Sequence, residues 1–457
     1  MMHRNWWLLL ALVALLALVL PAGGEAPAKD DVFSRLTPDR LAAKHADVVK
    51  YAAARKHLNT LGNAGWQDVR AVIHAHCFIS HDSRGTLEQL IAAAKATNTK
   101  VVMMSDHPSQ TKDYFKDGFS GMHEGVLFFP GAEARGFLIY PRVPLDPDAY
   151  QDRQALVDAV LATKGVIFAS HIEEWPEAAW ALNGMTGSEM YNTHFELKRR
   201  PEFADIERNP AKLLALIKGA EKFSHEAFGA IQSPMTEYLT VLDRETQKHK
   251  LTMVAANDSH ANFGITVKGT EQKGMVVLED PLGSKLGELD ANMVAMLGIP
   301  LPKELAPGQV GFSFLLDTYE RSFQHTSTHI WVPKLEPEAV LGSLRGGITY
   351  VAFDWIADPT GFLFFLNDPH ANVQPPAALM GSQVTFKPGM TLGAVLPLPA
   401  QLRLVRNGQP VPLPEPEALK DRLKFPVTEK GVYRLEAWLP VGDEVLPWIY
   451  SGPIYVR

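Results

Sequence analysis

Short hydrophobic runs that end in histidine or carboxylate side chains recur along the first 260 residues of the sequence. The clearest is AVIHAHCFISHD, Ala71 to Asp82, in which histidines follow a run typical of a buried β-strand. Imidazole and carboxylate groups are common protein ligands of divalent metal ions. The side chains of these types that end the six runs, together with the amide of Asn192, are His74, His76, Asp106, His107, Glu133, His171, Glu189, His194, Asp258 and His260.

The pair His74 and His76 has the spacing of two side chains on the same face of a strand, because successive side chains of a strand alternate between faces. The pair therefore predicts joint binding of one metal ion. Cys77 points to the opposite face and is predicted to be a small packing residue. A single His-x-His is a weak signal, so the prediction depends on its recurrence at six successive strand ends.

Segments typical of strands and of helices alternate between about residues 68 and 260. KVVMMSDH and GVIFASH are typical of buried strands, whereas TLEQLIAAAKATN begins with a Thr86-x-x-Gln89 capping box and continues at helical spacing. Further helices are predicted over about 149–163, 210–222 and 234–248. The alternation favours a largely parallel α/β barrel or sheet. The carboxyl ends of parallel barrel strands open on one face, so side chains far apart in sequence would meet there.

The sequence also predicts how the chain is divided. An apolar run of 15 residues, Trp6 to Leu20, follows one basic residue and precedes small residues, which is typical of a secretory signal peptide. We therefore expect a secreted or periplasmic protein, with an uncleaved membrane anchor as the alternative. The predicted divisions are a signal peptide at 1–24, a helical segment at 25–65, a barrel with an extension at 66–356 and a β-sandwich-like domain at 357–457.

Composition excludes some classes of protein. Of the 457 residues, 46% are hydrophobic and 21% are charged, as in a globular protein with sizeable cores. The net charge is −7, and the one prominent basic cluster is LKRR at 197–200, which argues against a nucleic-acid partner. The single cysteine, Cys77, excludes an internal disulfide. The expected partner is a small-molecule substrate, with no membrane association once the leader is cleaved.

The ordered set HAHCFISHD, SDH, PGAE, SH and NDSH resembles the motifs of the PHP (polymerase and histidinol phosphatase) superfamily of metal-dependent hydrolases. The ending, LRGGITYVAFD and later WIYSGPIYV, is similar to the carbaryl-hydrolase-like branch. The resemblance covers about Asp68 to Ala261 and, more loosely, the C-terminal segment. It implies a distorted seven-stranded β/α barrel and two or three divalent ions, either Zn, Mn or Fe. Such ions would generate a bridging hydroxide at neutral pH.

The resemblance also implies eight metal ligands. In the first site they are His74, His76, Glu133 and Asp258; in the second, Glu133 as a bridge and His171; in the third, Asp82, His107 and His260. His81 is the alternative to its neighbour Asp82.

Four residues are candidates for roles in catalysis. Asp106 is expected to orient a metal ligand, and His260 or His194 to protonate the leaving group. Arg135 is a candidate for binding an anionic group of the substrate, with a solvated loop arginine as the alternative.

The chain departs from the family at one point. Many relatives have a histidine shortly after the bridging glutamate, but none lies between Glu133 and His171. The second ion would then be absent or would use a replacement ligand, for which His194 and His123 are the candidates.

Three functions follow from these observations. The first is an exported phosphoesterase, and the second is a carbamate or carboxylic ester hydrolase with the same metal centre. The third is a non-catalytic, metal-stabilised binding protein. The segment HTSTH, residues 325–329, is predicted to be a loop without a role.

Overall fold

The computed structural model describes residues 32–109, 111–199, 210–231, 236–296, 298–371 and 376–457. The predicted signal peptide lies outside these residues. Strands and helices are mixed along the described chain, so the predicted α/β class is confirmed. None of the described helices is both long enough and apolar enough to cross a membrane.

The helices and strands have the following bounds. The α-helices are α1 Val32–Arg35, α2 Pro38–Ala54, α3 Leu87–Ala96, α4 Arg153–Ala162, α5 Thr193–Arg199, α6 Pro210–Lys222, α7 Ser224–Gly229, α8 Thr236–Lys248, α9 Ala291–Met296, α10 Tyr319–His325 and α11 Pro337–Gly346. The strands are β1 Gln67–Ala75, β2 Val101–Met104, β3 Gly121–His123, β4 Val126–Phe129, β5 Ala132–Ala134, β6 Phe137–Tyr140, β7 Val166–Ala169, β8 Gly187–Asn192, β9 Thr252–Ser259, β10 Gly264–Gly269, β11 Met275–Glu279, β12 Lys285–Asp290, β13 Val310–Leu315, β14 Ser327–Val332, β15 Thr349–Ala352, β16 Leu363–Asn367, β17 Ala378–Leu379, β18 Gln383–Val384, β19 Thr391–Arg406, β20 Gln409–Val411, β21 Leu419–Pro426, β22 Gly431–Val441, β23 Glu444–Ser451 and β24 Ile454–Val456. Short 3₁₀ helices span Gly62–Ala64, Pro147–Tyr150, Ile172–Glu174 and Glu177–Trp180.

The strands of the first half pair around a closed path. β1 is parallel to β2 on one side and to β9 on the other, and β8 is parallel to β7 and β9. β2 is parallel to β4, and a bridge between Asp106 and Ala132 continues this pairing to β5. β6 is antiparallel to β5 and β7. The carboxyl ends of the parallel strands therefore face the same way. The finer expectation, a seven-stranded PHP-type barrel, remains a prediction.

Two further sets of antiparallel strands follow. β10 to β13 form a separate four-stranded sheet in the order β12-β11-β10-β13, which the sequence did not predict. After α11 the described chain contains strands without an α-helix, and the long β19 pairs with β16, β20, β21 and β22. β15 pairs with β23, so hydrogen bonds cross the predicted boundary near residue 356. The division into domains remains a prediction.

The capping box predicted from the sequence is present at the start of α3. Thr86 Oγ1 accepts a hydrogen bond from the backbone N–H of Gln89, and the Gln89 side chain bonds the backbone N–H of Thr86. These two bonds satisfy donors that a helix start leaves unpaired, so α3 begins at Leu87 as predicted.

The other predicted helices are found, with one change. The helix predicted over 149–163 is divided into a 3₁₀ helix, Pro147–Tyr150, and α4. The division occurs because the Asp152 side chain accepts hydrogen bonds from the N–H groups of Gln154 and Ala155 and so caps a new helix. α6 has the predicted bounds, and α8 lies within its predicted range.

The prediction of a loop at HTSTH is wrong. His325 ends α10, and Ser327 to His329 begin β14, which pairs with β1 and β15. Both histidines are buried. Ser327 to His329 form a strand because their backbone pairs with neighbouring strands and the buried side chains of Ser327 and Thr328 find hydrogen-bond partners.

His329 is the centre of a buried polar network between strands. Its Nδ1 lies 3.0 Å from Asp68 Oδ1, and its Nε2 lies 3.0 Å from Asp354 Oδ1. The Tyr350 hydroxyl donates to Asp68 at 2.6 Å, and Arg70 Nε lies 3.4 Å from Asp354. Burial lowers the pKa of His329, but the charges of Asp68 and Asp354 outweigh burial and raise it to about 9. The imidazolium thus joins β1 and β14 to Asp354.

We predict that His329→Gln lowers the free energy of unfolding by about 2–4 kcal/mol at pH 6. The raised pKa means that the stabilisation is fully present below pH 6.5 and is lost as pH rises through about 9. Denaturant unfolding of both proteins from pH 6 to pH 9.5 measures this difference, with the exposed His57→Gln as the control. An equal difference across this range would contradict the charged state of His329.

Candidate metal centre

Two groups of four metal-type ligands meet at the ends of the strands. Within each group the ligand atoms all lie within 4.8 Å of one another. The first group is His74, His76, Glu133 and Asp258, and the second is His76, Asp82, His107 and His260. The structure thus brings together seven of the eight expected ligands in two clusters, and the eighth, His171, lies beside the first.

The first group is deeply buried. His74 Nε2 lies 3.2 Å from Glu133 Oε2 and 3.1 Å from Asp258 Oδ1. His76 Nε2 lies 3.3 Å from the same oxygen of Asp258 and 3.7 Å from Glu133 Oε2. Two imidazole nitrogens and two carboxylate oxygens therefore converge on one point, which is a donor set suited to Zn, Mn or Fe.

Two atoms of this group lack hydrogen bonds in the described part of the chain. They are His76 Nε2 and Asp258 Oδ1, and both are buried. Buried polar atoms are almost always hydrogen-bonded, because an unpaired one costs the free energy of its desolvation. A divalent cation between the two atoms would satisfy both, so the residues fit a metal ion.

The second group is more open to solvent. Asp82 Oδ2 lies 3.4 Å from His107 Nε2 and 3.3 Å from His260 Nε2. The His107 and Asp82 side chains are 30% and 25% exposed, whereas the His74 side chain is fully buried. His76 belongs to both groups, but its Nδ1 contacts Ser80. Only its Nε2 is left to bind an ion, so His76 can be a ligand in one group or the other. Solvent and a substrate would reach the centre from the side of Asp82 and His107.

Glu133 lies between two sets of imidazoles. Its Oε2 faces His74, and its Oε1 lies 3.0 Å from His171 Nε2. His171 Nε2 also lies 3.7 Å from Asp258 Oδ2. Each carboxylate thus has one oxygen toward the first group and the other toward His171, which is the arrangement that a bridging ligand requires. The bridging role itself remains a prediction.

Three of the expected ligands have left-handed backbone. The φ angles are 72° at His74, 50° at His171 and 50° at Asp258. Non-glycine residues in this region cost on the order of 1–3 kcal/mol each and occur mostly at functional sites. At His74 the pairing register of β1 shifts between Ile73 and Ala75. A bulge, and not regular alternation, therefore brings His74 and His76 together.

Glu189 orients two of the ligands from behind. It lies in β8, fully buried, with Oε1 2.7 Å from His74 Nδ1 and Oε2 accepting the backbone N–H of His171 at 2.8 Å. A carboxylate on Nδ1 leaves the Nε2 lone pair of His74 for a metal ion. Glu173 contacts His171 Nδ1 in the same way at 3.1 Å. The sequence marked Glu189 as a strand-end carboxylate but did not indicate its role, and it did not indicate Glu173.

Asp106 is linked to the expected ligand His76 through Ser80. It accepts hydrogen bonds from the Cys77 backbone N–H at 2.7 Å and the Ser80 hydroxyl at 3.2 Å. Ser80 Oγ in turn lies 3.0 Å from His76 Nδ1. Asp106 therefore lies behind His76, as an orienting residue would. Cys77 is buried in the core below, in the position of a packing residue.

The charges of the centre depend strongly on one another. Burial lowers the pKa of His74, but the carboxylates of Asp258, Glu133 and Glu189 raise it to about 10. Burial raises the pKa of Glu133, but His74 and His171 hold it well below its usual range. Without a metal ion, His74 thus carries the proton that balances these carboxylates. A metal ion would replace that proton, so binding would release protons.

His76 has the opposite protonation state. Burial and the charge of His260 lower its pKa to about 3. A neutral imidazole keeps the lone pair on Nε2, which is the form that binds a metal ion.

A cavity of about 410 Å³ opens onto the centre. Its walls include six of the expected ligands, together with Glu174, His194, Phe195 and Lys198. His194 lies in α5, buried, with its ring centroid 4.6 Å from that of His260. His194 belongs to neither group of four ligands.

Two other candidates, His123 and Arg135, are not among the residues that line this cavity. His123 lies in β3, and its Nε2 is 2.9 Å from the Ser120 carbonyl oxygen. Arg135 donates from Nε to the carbonyl of Tyr150 and from Nη2 to the carbonyl of Gln151, both at 2.6 Å. Neither side chain lines the cavity. Between the two candidate replacements for the missing histidine, the structure thus places only His194 at the centre.

No model of a known protein family matches this chain, and no curated protein sequence matches it. Among solved structures, the chain is similar to a two-domain protein from Bacteroides vulgatus that contains a predicted PHP-like metal-dependent phosphoesterase. The sequence identity is 12% and the TM-score is 0.35, over 87% of this chain and 98% of the other. A TM-score this low leaves the family undecided, so the function is inferred below from the metal centre.

We predict that Glu189→Gln weakens metal binding by about 10- to 100-fold, because an amide cannot accept hydrogen bonds at both positions from His74 and His171. Competitive titration with a chromogenic chelator measures the affinity for Zn and Mn. Glu226→Gln is the matched control, since Glu226 is also buried beside a histidine, His45, but lies in α7. Equal affinities of wild type and Glu189→Gln would contradict the orienting role.

Proposed function

We propose that this protein is a metal-dependent phosphoesterase of the PHP type. In this proposal the distorted seven-stranded barrel consists of β1, β2, β6, β7, β8 and β9, with β4 and β5 together as one interrupted strand. The convergence of the first group of ligands carries the proposal, in particular the buried His76 Nε2 and Asp258 Oδ1 that lack hydrogen bonds in the described chain. A metal held only for structure would normally have a closed set of four ligands, whereas this centre continues into an open cavity.

Two or three divalent ions in such a centre would lower the pKa of a water molecule and neutralise charge that builds on substrate oxygens. The protein residues supply position and orientation. His74, His76, Glu133, His171 and Asp258 would hold the inner ions, and Asp82, His107 and His260 the outer one. Because the outer group is the more exposed, the substrate would enter over Asp82 and His107.

His194 would contact the substrate as a hydrogen-bond donor. Burial, together with the positive charge of His260, holds its pKa well below the usual range, so it is neutral at pH 7 and cannot easily deliver a proton. Arg135 already donates to the carbonyl oxygens of Tyr150 and Gln151. We therefore assign Arg135 to holding residues 150 and 151 and not to the substrate.

We predict that the chain without residues 1–24, loaded with Zn, Mn or Fe(II), hydrolyses nitrophenyl phosphate or bis-nitrophenyl phosphate. A chelator is expected to abolish this activity, and Asp258→Asn to lower kcat/KM by about 100-fold or more, because it removes a charged ligand of the inner ions. Absorbance of nitrophenolate measures both effects, with Glu226→Gln as the control.

The same assay distinguishes the other functions. Hydrolysis of a nitrophenyl carbamate or acetate without hydrolysis of either phosphate would show the alternative ester hydrolase. Tight metal binding without any hydrolysis would favour a binding protein. Phosphatase activity in metal-free protein would contradict all three.

We also propose that the chain is exported by its leader, since residues 1–24 have the composition of a signal peptide. Deletion of this segment is expected to retain the protein inside the producing cell, which fractionation and immunoblotting measure. Unchanged export of the shortened chain would contradict the assignment.

A further inference from the structure

One positively charged side chain lines the cavity without being an expected metal ligand. Among the described residues that line the cavity, Lys198 is the one lysine or arginine. It is exposed, and no hydrogen bond or ion pair links it to the described residues. Glu174, which also lines the cavity outside the ligand groups, is likewise exposed and does not form an ion pair with Lys198.

Helix α5 sets the distance of Lys198 from the metal centre. His194 and Lys198 are four residues apart, so they lie on the same face of α5, about 6 Å apart along its axis. His194 packs against the ring of the expected ligand His260. Lys198 is thus one helical turn farther out than the residue that touches the centre, on the wall of the same cavity.

An ammonium group in this position can bind an anionic group of a ligand. Lys198 follows the buried His194 by one helical turn and is itself exposed, so its ammonium is placed to contact a group farther out than the oxygens beside the ligands. It is exposed and has no partner among the described residues, so it can form a charge-assisted hydrogen bond with an incoming anion at little cost of desolvation.

We propose that Lys198 is a specificity-determining residue that binds a second anionic group of the substrate, a carboxylate or a phosphate about one helical turn from the reacting phosphate. This inference rests on the proposed function for the identity of the reacting group. The preferred substrates are then phosphoesters that carry two separated anionic groups, and a phosphoester of a neutral alcohol is a poorer substrate.

Binding of two inhibitors that cannot be hydrolysed tests the inference. Phenylphosphonate has one anionic group, and 4-carboxyphenylphosphonate carries a second on the far side of its ring. Calorimetry with metal-loaded protein is expected to show about 10-fold tighter binding of the carboxylated compound by the wild type. Lys198→Met should reduce this ratio to less than about twofold, and Lys198→Arg should retain most of it.

Two further variants separate this role from a general effect of charge. Lys218→Met removes a charge of the same sign from an exposed position of α6 and should keep the wild-type ratio. Glu174→Gln removes a negative charge at the rim and should strengthen binding of both compounds while the preference for the carboxylated one persists. An equal affinity of the wild type for both compounds, or a wild-type ratio in Lys198→Met, would overturn the inference.

The results also separate this inference from the proposed function. If the protein hydrolyses no phosphate ester but shows a ratio that depends on Lys198, the phosphoesterase proposal fails and the second anion site stands. If it hydrolyses nitrophenyl phosphate but shows no ratio, only the role of Lys198 is overturned.

Discussion

The close approach of buried carboxylates is the constraint on which this structure depends. Glu133 and Asp258 lie in the interior within hydrogen-bonding distance of the same imidazole, His74. Taking two carboxylates out of water is costly unless cations compensate them. In the protein alone, protonated His74 and His171 supply this compensation, and burial with a neighbouring charge keeps His76 neutral. A divalent metal ion could take over this compensation in place of the protons on His74 and His171.

The surrounding scaffold holds this arrangement through directed contacts. Glu189 fixes the His74 ring and the backbone of His171, and Asp106 acts on His76 through Ser80. Left-handed backbone at three expected ligands adds a cost that packing of the strands must offset. These features make the ligand geometry a property of the whole ring of strands. Replacement of one supporting carboxylate is therefore felt at ligands that it does not touch.

The exposure of the ligands increases from the interior of the centre to its rim. The inner ligands are buried and close to one another, which suits tight metal binding. The outer residues, Asp82 and His107, are partly exposed, and α5 lies at the cavity wall with His194 inward and Lys198 outward. In the proposed function, the buried metal ligands and the exposed Lys198 can therefore be changed separately.

The sequence by itself determined the types and order of the ligands, the α/β class and the start of α3, because residue type, strand alternation and capping are local properties. It did not determine the bulge at His74, the four-stranded sheet of β10 to β13 or the helix end and strand start within 325–329. The partners Glu189, Glu173 and Ser80 were likewise decided by tertiary structure, as was the attachment of Arg135 to carbonyl oxygens. The physical reason is that hydrogen-bond partners across a sheet depend on strand register, and register is set by packing between segments distant in sequence.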